Sequence, residues 1–491
     1  MGRKEKVLAE KIFNEEYIDK RLVGYYSTPS FICEYIKNRL IEIKDDGKEV
    51  FDPCCGREEM LVPFLEENIK SYGIDIIKYK SNYNCSFQNI DFIRFFYKKI
   101  NEVSEFKGLE YDYYVLNPPY NCHEVEYIRD NRDELKDIFK EVGIHNMYGM
   151  FISAVIDLAK EGAVIGIITN DSFLTAKSYK SLREKILRTC SIHEITMCPT
   201  NLFTNQGADV RTSIIILQKG VNFQGNIITN NRSINISELK EKINSNTTLF
   251  GLEDIILSDK NDNKEFVINC PIDIRELFNF DRIASEFNCI TGISTGNDKE
   301  FLSKEKKDPY TVPFYKNPGK DRFNTDKFVY IDNNFLDISK TVHNFIVRNK
   351  EFLYREGIIC SSMGVEFTAS RMPEGSTFGV NTAIICEKID LFWLLAYLNS
   401  NLVTYFVRGV LLRTNMITSG YVSRIPLLYF NDDEKEYLSK LGEKAYKYSI
   451  EKKNISEILN SIDSIVNKAA RISDESIKYI IEFKSNLIKR T

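Results

Sequence analysis

The chain contains no stretch approaching the ~18 consecutive apolar residues that a membrane-spanning helix requires, so no partnership with a membrane is expected. Its opening, Met1 to Lys11, is charged from the start and lacks an apolar core, which argues against a secretory signal. Histidine is scarce: the four residues His123, His145, His193 and His343 are scattered. The eleven cysteines form no CxxC pair, so no metal-ligand spacing is present and no metal is expected. The irregular cysteines, including adjacent Cys54 and Cys55, read as reduced thiols and predict a cytoplasmic protein. An excess of positive charge is also missing. A net charge of −4 excludes binding to nucleic acid by bulk attraction, so any DNA-binding face must be a local concentration of basic residues. With only 12 Pro and 24 Gly among 491 residues and 43% hydrophobic side chains, the composition is globular and long enough for two or three domains.

What is present is a rhythm. Between about residues 48 and 218, short strand-like runs alternate with helical ones. Val50 to Asp52, Tyr72 to Asp75, Tyr113 to Leu116, Ala163 to Thr169 and Thr212 to Leu217 are strand candidates. Glu58 to Ile69, Met150 to Lys160 and Tyr179 to Arg188 carry apolar residues at three- and four-residue spacing. Such alternation predicts an α/β domain with a mostly parallel sheet covered by helices on both faces. Ligands then bind beyond the carboxyl ends of the strands. Residues 222 to 262 are rich in Asn, Ser and Lys and read as a bridge. Further on, β-rich segments broken by Gly and Pro precede an apolar helix candidate, Leu391 to Phe406. Residues 433 to 491 read as helical with nearly balanced charge. The expected organisation is a first domain over 1–230, a bridging segment over 231–275 and an α+β second domain with a helical C-terminus over 276–491.

Two segments carry chemistry. Val50-Phe51-Asp52-Pro53-Cys54-Cys55-Gly56 is a strand entering a tight turn before a helix, where a glycine lets the backbone approach a ligand. Asp75 ends the next strand 19 residues after Gly56, the place where a carboxylate grips a ribose diol in dinucleotide folds. Asp91 and Phe92 follow, a carboxylate and a ring suited to an adenine. In Tyr113-Tyr114-Val115-Leu116-Asn117-Pro118-Pro119-Tyr120 a strand delivers Asn117 to the sheet edge, and two prolines hold the backbone extended. The Asn117 amide and the Pro118 carbonyl accept hydrogen bonds, and Tyr120 offers a ring for stacking. An exocyclic amine with two N–H donors matches that set, and its chemistry depends on positioning more than on a strong base.

Together, Asp52 to Gly56 and Asn117 to Tyr120 resemble the amino-methyltransferases of the N6-adenine DNA type, and the motif order resembles the TaqI-like (gamma) class. Tyr26-Ser27-Thr28-Pro29 stands where that class has its cofactor-capping motif. Asn146 to Phe151, Gly162 to Phe173, and Leu202-Phe203 before Val210 to Leu217 resemble later motifs. The resemblance, covering roughly residues 20 to 220, implies a Rossmann-like class I methyltransferase domain that uses S-adenosylmethionine. It implies that Thr28 and Asp52 contact the methionine moiety, with Cys54, Gly56 and Asn117 also lining the cofactor site. Asp75 would bind the ribose, Asp91 the adenine amine and Phe92 its ring. Catalysis would fall to Asn117, Pro118, Pro119 and Tyr120, with Tyr120 and Phe203 sandwiching the flipped target base. The family commonly has a second glycine two residues after the first, and Glu58 occupies that position here. We expect Glu58 to begin the following helix and face solvent, where an acid complements the dipole.

Ile290 to Phe301, Leu394 to Ser400 and Ser423 to Pro426 resemble the specificity domain of TaqI-like enzymes. Residues 299 to 327 hold eight basic against five acidic side chains. Leu391 to Asn431 has no acidic residue, which makes Arg408, Arg413 and Arg424 candidates for DNA contacts. Double-stranded DNA is the expected partner of a monomer, and a separate cognate restriction endonuclease is a candidate partner. Two alternatives stay open: a methyltransferase acting on RNA or a protein glutamine amide, and a non-catalytic DNA-binding or specificity protein.

Overall fold

The structure, a computed structural model, describes residues 25–102, 108–120, 126–206, 210–220, 225–245, 248–257, 259–260, 262–411 and 416–487. Arg413, His123 and the opening Met1 to Lys11 lie outside these residues. The described chain forms two compact units. One runs to Ile256 and includes Asn263–Asn269; the other holds Leu257–Asp262 and the chain from Cys270 onward.

The first unit is built on a nine-stranded sheet of order β3-β2-β1-β4-β5-β7-β6-β8-β9. Its strands are β1 (Glu49–Asp52), β2 (Lys70–Asp75), β3 (Ser86–Asn89), β4 (Tyr113–Leu116), β5 (Val164–Asn170), β6 (Cys190–Met197), β7 (Thr212–Lys219), β8 (Ile227–Asn230) and β9 (Leu249–Phe250). Pairing is parallel from β3 across to β5, while β7 runs antiparallel to both its neighbours. The side-chain alternation of a strand divides the core into two layers. Val50, Tyr113, Val115, Val164 and Ile168 face one side, which is covered by α1 (Ser30–Ile43) and α2 (Val62–Glu66). Phe51, Tyr114, Leu116, Ile165 and Ile167 face the other. There α3 (Phe92–Asn101), α4 (Met147–Leu158) and α5 (Lys180–Thr189) lie on the sheet. Gly166 lets α1 close on β5: a Cβ there would stand 2.4 Å from the Ile36 Cγ2.

The first unit departs from the expected elements at two places. The helix expected over Glu58 to Ile69 shortens to Val62–Glu66. The segment read as a bridge instead extends the sheet through β8 and β9, and α6 (Ile236–Ser245) buries Leu239 and Ile243 in the α1-side core. Buried Arg232 ties that segment inward, bonding the Asp171 carboxylate and the Cys198 carbonyl.

In the second unit, 288–290, 383–385, 357–360 and 369–372 form an antiparallel sheet in that order. A second four-stranded sheet contains 302–303, 328–332, 310–315 and 377–378. The apolar helix expected over Leu391 to Phe406 is broken. Asn399 bonds both backbone groups of Ala369, at 3.2 and 2.9 Å, and Ser400 caps a new helix, Asn401–Tyr405, accepting from the Val403 N–H. The C-terminal region folds as the helices Asp432–Ile450, Ser456–Ala470 and Asp474–Ser485, the first opened by an Asn431/Glu434 capping box. No helix among the described residues is long and apolar enough to cross a membrane.

Candidate active site

The motif residues gather at the carboxyl ends of β1, β2 and β4. Asp52, 2% exposed, ends β1 and accepts from the Cys54 N–H at 2.9 Å, which sets the turn. Burial pushes the Asp52 carboxyl well above the usual range, against the pull of that N–H. Gly56 follows at φ 55°, and a Cβ there would stand 2.5 Å from the Tyr25 ring. Its N–H donates to Asp75 at 2.9 Å, and the Ile77 N–H donates to the other carboxylate oxygen at 2.9 Å. Loop and strand end are therefore joined through one carboxylate.

Burial raises Asp75 to about 6, although the Ile77 and Gly56 N–H groups pull it down. The sign follows from linkage. A carboxyl with a raised folded value stabilises the fold below its ordinary value, and that contribution is lost as pH rises through about 6. If Asp75 accepts from a ribose diol, as the motif resemblance implies, it does so in its ionised form, and affinity for S-adenosylmethionine is expected to fall as pH drops below about 6. Calorimetric titration across pH 5 to 8 checks this, and Asp75→Asn should flatten the profile.

Glu58 does not start a helix or face solvent. It adopts φ 64°, the left-handed conformation that a glycine would take, and its side chain is fully buried. An L side chain thus sits in a left-handed conformation, at a conformational cost of about 1–2 kcal/mol. The carboxylate accepts from Lys80, from the Asn84 N–H at 2.9 Å and from the Cys85 N–H at 3.0 Å. Burial would raise Glu58, but Lys80 and the Cys85 and Asn84 N–H groups outweigh it and hold the carboxyl below its ordinary value. These bonds tie the turn after β1 to the segment entering β3.

Asp91 caps α3, accepting from the Ile93 N–H at 2.8 Å, while its second oxygen accepts from the Tyr127 hydroxyl at 2.7 Å. Phe92 is 3% exposed and packs against Phe151, with ring centroids 4.8 Å apart, so its ring is already covered by protein. Ile76, directly after Asp75, is 58% exposed and offers an apolar surface beside that carboxylate. Sequence patterning passed over it because a lone exposed aliphatic residue carries no periodicity. A carboxylate at a strand end, an exposed aliphatic beside it and a second carboxylate beyond suit the diol, ring and amine of a nucleoside. The donor set therefore fits the adenosine part of S-adenosylmethionine.

At the end of β4, the Asn117 amide nitrogen donates to the Tyr26 carbonyl at 2.8 Å and to the Thr28 hydroxyl at 3.0 Å. Its oxygen points the other way and accepts from the Tyr120 hydroxyl at 2.5 Å. Thr28 is 5% exposed, so its hydroxyl serves Asn117 within the protein. The Tyr26 ring stacks on Tyr120 at 6.1 Å and lies 6.0 Å from the buried Phe203 ring. Tyr26 thus touches both rings that were expected to sandwich the target, a part that its own motif did not reveal. Pro118 is buried.

The arginines require a correction. Arg408 is 4% exposed and donates to the Gly364 carbonyl. Arg424 pairs with the buried Asp262 at 3.0 Å, and Arg282 holds the same carboxylate at 3.1 Å. Both guanidiniums are engaged inside the second unit and are not offered to phosphates. Arg424→Ala is therefore expected to lower stability by about 1–3 kcal/mol, because Arg282 remains, and to leave the salt dependence of DNA binding unchanged. Thermal unfolding and binding titrations over a salt series check both.

A sheet ordered 3-2-1-4-5-7-6 with antiparallel β7, and motif loops at the carboxyl ends of β1, β2 and β4, is the Rossmann-like class I methyltransferase fold. Residues 13–272, over half of the chain, match the N-6 DNA Methylase model, and the chain belongs to that family. It is 23% identical over 233 residues to the "Type I restriction enzyme MjaIX methylase subunit" of Methanocaldococcus jannaschii, covering 43% of this chain and 40% of that protein. It is 25% identical over 225 residues to the "Type II methyltransferase M.BanIII" of Aneurinibacillus aneurinilyticus, covering 40% and 39%. The chain thus matches about two fifths of the length of these curated relatives. Among solved structures, the Type IIL restriction-modification enzyme MmeI in complex with DNA shares the fold. Its TM-score is 0.60 at 11% identity, over 99% of this chain and 78% of that one.

Proposed function

We propose that the protein transfers the methyl group of S-adenosylmethionine to the exocyclic N6 amine of adenine in double-stranded DNA, with the TaqI-like motif order read from its sequence. The observation that carries this reading is the Asn117 amide at the end of β4, its nitrogen tied to Tyr26 and Thr28, its oxygen accepting from the Tyr120 hydroxyl, and Pro118 following directly. Two acceptors there would orient an amine's two N–H donors and leave its lone pair free to attack. The cofactor supplies the electrophilic methyl. The N–C bond would form as the S–C bond breaks, with S-adenosylhomocysteine as the leaving thioether and the amine's proton passing to water. Asp75, Ile76 and Asp91 would hold the adenosine portion. In a duplex the target amine is engaged in pairing, so the base must be extruded, and Tyr120 supplies a ring to receive it. The second unit would read sequence. Phosphate contacts then fall to exposed cations such as Lys304, Lys306 and Lys307 rather than to Arg408 or Arg424. The relatives' names support a restriction–modification setting, with a cognate nuclease as a separate partner.

Incubating the purified protein with S-adenosylmethionine and duplex DNA, without added metal, tests the reading. Mass spectrometry of the digested nucleosides should show N6-methyladenine. Methylcytosine as the sole product, or methylation of a glutamine amide in place of DNA, would overturn it.

A further inference from the structure

A side-chain amide has two ends of similar shape and opposite hydrogen-bonding sense. If Asn117 were rotated by half a turn about its last bond, an NH2 group would face the target amine and repel its donors. Something must therefore fix which end faces the target amine; the nitrogen is tied on one side, while the oxygen on the other accepts from the Tyr120 hydroxyl, whose place the amine would take. The Asn117 nitrogen is held by two acceptors, the Tyr26 carbonyl and the Thr28 hydroxyl. Both come from the short segment before α1, which is itself clamped. The Gln206 side chain accepts from the Ser27 N–H at 2.8 Å and donates to the Ser27 carbonyl at 2.7 Å. Gln206 thus engages both polar backbone groups of the residue that lies between Tyr26 and Thr28. The Gln206 N–H in turn donates to the Phe203 carbonyl at 2.9 Å. A continuous set of bonds runs from the loop carrying Phe203, through Ser27, to the Asn117 amide.

We propose that Thr28 and Gln206 are positioning residues: Gln206 holds the Tyr26–Thr28 segment so that the Tyr26 carbonyl, an acceptor only, sets the sense of the Asn117 amide, and the Thr28 hydroxyl accepts a second bond from the same nitrogen and steadies it. This rests on the amine-methylation reading above. It gives Thr28 a role toward Asn117 in place of the methionine moiety, consistent with the hydroxyl's burial. Gln206→Glu is an informative change, because a carboxylate still accepts from the Ser27 N–H but cannot donate to the Ser27 carbonyl.

Thr28→Val removes the hydroxyl at nearly constant shape. It should lower kcat about tenfold while the Kd for S-adenosylmethionine and the KM for duplex DNA stay within about twofold, and Thr28→Ser should recover most of the loss. Gln206→Glu should lower kcat in the same sense. Unfolding midpoints give a readout independent of turnover. Thr28→Val should shift the midpoint of the wild type but barely shift that of Asn117→Ala, since the bond it removes is already gone. A tenfold weaker cofactor Kd with kcat intact would return Thr28 to the cofactor and overturn the proposal. Fully additive midpoint shifts would overturn it too. If the wild type moves no methyl to DNA, the amine-methylation reading fails, and the midpoint cycle alone decides whether Thr28 holds Asn117.

Discussion

Replacing Asn117 with alanine should reduce turnover by about three orders of magnitude, roughly 4 kcal/mol of transition-state stabilisation, and leave the Kd for S-adenosylmethionine within about twofold. The amide oxygen is the acceptor at the strand end, and Pro118 and Pro119, which carry no polar side-chain group, follow before Tyr120. The effect should fall on kcat, because a group that orients the amine acts most strongly when charge develops on its nitrogen. Tyr120 separates stacking from hydrogen bonding. Its hydroxyl donates to the Asn117 oxygen, so it occupies the acceptor that the target amine would use. Tyr120→Phe keeps the ring and uncovers that oxygen, and should remain active. Tyr120→Ala removes the stacking surface and should lose about 1–3 kcal/mol of base binding. Single-turnover rates with cofactor titrations decide the matter; near-normal turnover of Asn117→Ala would remove the amide from the chemistry.

The second large effect is expected at Glu58. Glu58→Gln keeps the size but turns an acceptor into an amide, one end of which meets the Asn84 and Cys85 N–H donors. Breaking a buried charge pair costs about 3–5 kcal/mol; Lys80 keeps partial access to water, so about 3 kcal/mol is expected, or a midpoint lower by roughly 6–12 °C. The pH dependence supplies a control. A carboxyl held below its ordinary value stabilises the fold above that value, and the contribution is lost as pH falls through the folded one. The gap between wild type and Glu58→Gln should therefore close in acid. Scanning calorimetry at pH 7 and below pH 4 measures it, and equal midpoints at pH 7 would show that the carboxylate holds nothing.

The same residue shows where reading from sequence stops. An acid after a glycine turn looks like the start of a helix, and only Lys80, Asn84 and Cys85, far along the chain, turn it inward. By contrast, β4 and its loop were readable in full, since four buried residues running into two prolines constrain the backbone locally. Strand β6 was not, because His193 and Glu194 interrupt its apolar run. Glu194 is fully buried there and satisfied by Tyr35, Thr196 and Arg39 at 2.6, 2.6 and 3.0 Å. In the stretch read as a bridge, Asn, Ser and Lys masked the two apolar residues, Leu239 and Ile243, that dock α6. A window free of acids likewise misled for Arg424, whose partner Asp262 lies 162 positions earlier.

The passage between the two units also bears on how such a protein could change its target. The chain leaves the first unit after Ile256, spends Leu257–Asp262 in the second, returns for Asn263–Asn269 and leaves again at Cys270. A recognition module joined by one crossing could be exchanged between relatives by a single recombination anywhere in a linker. Here a junction placed before Ile256 would strip the first unit of Phe266 and Ile268, which belong to its core. A junction at Cys270 keeps that core whole but leaves Asp262 behind as the foreign module's neighbour, so its two arginine partners would have to be supplied anew. If the second unit reads sequence as proposed, a replacement joined at Cys270 would have to bring equivalents of Arg282 and Arg424 to pair Asp262.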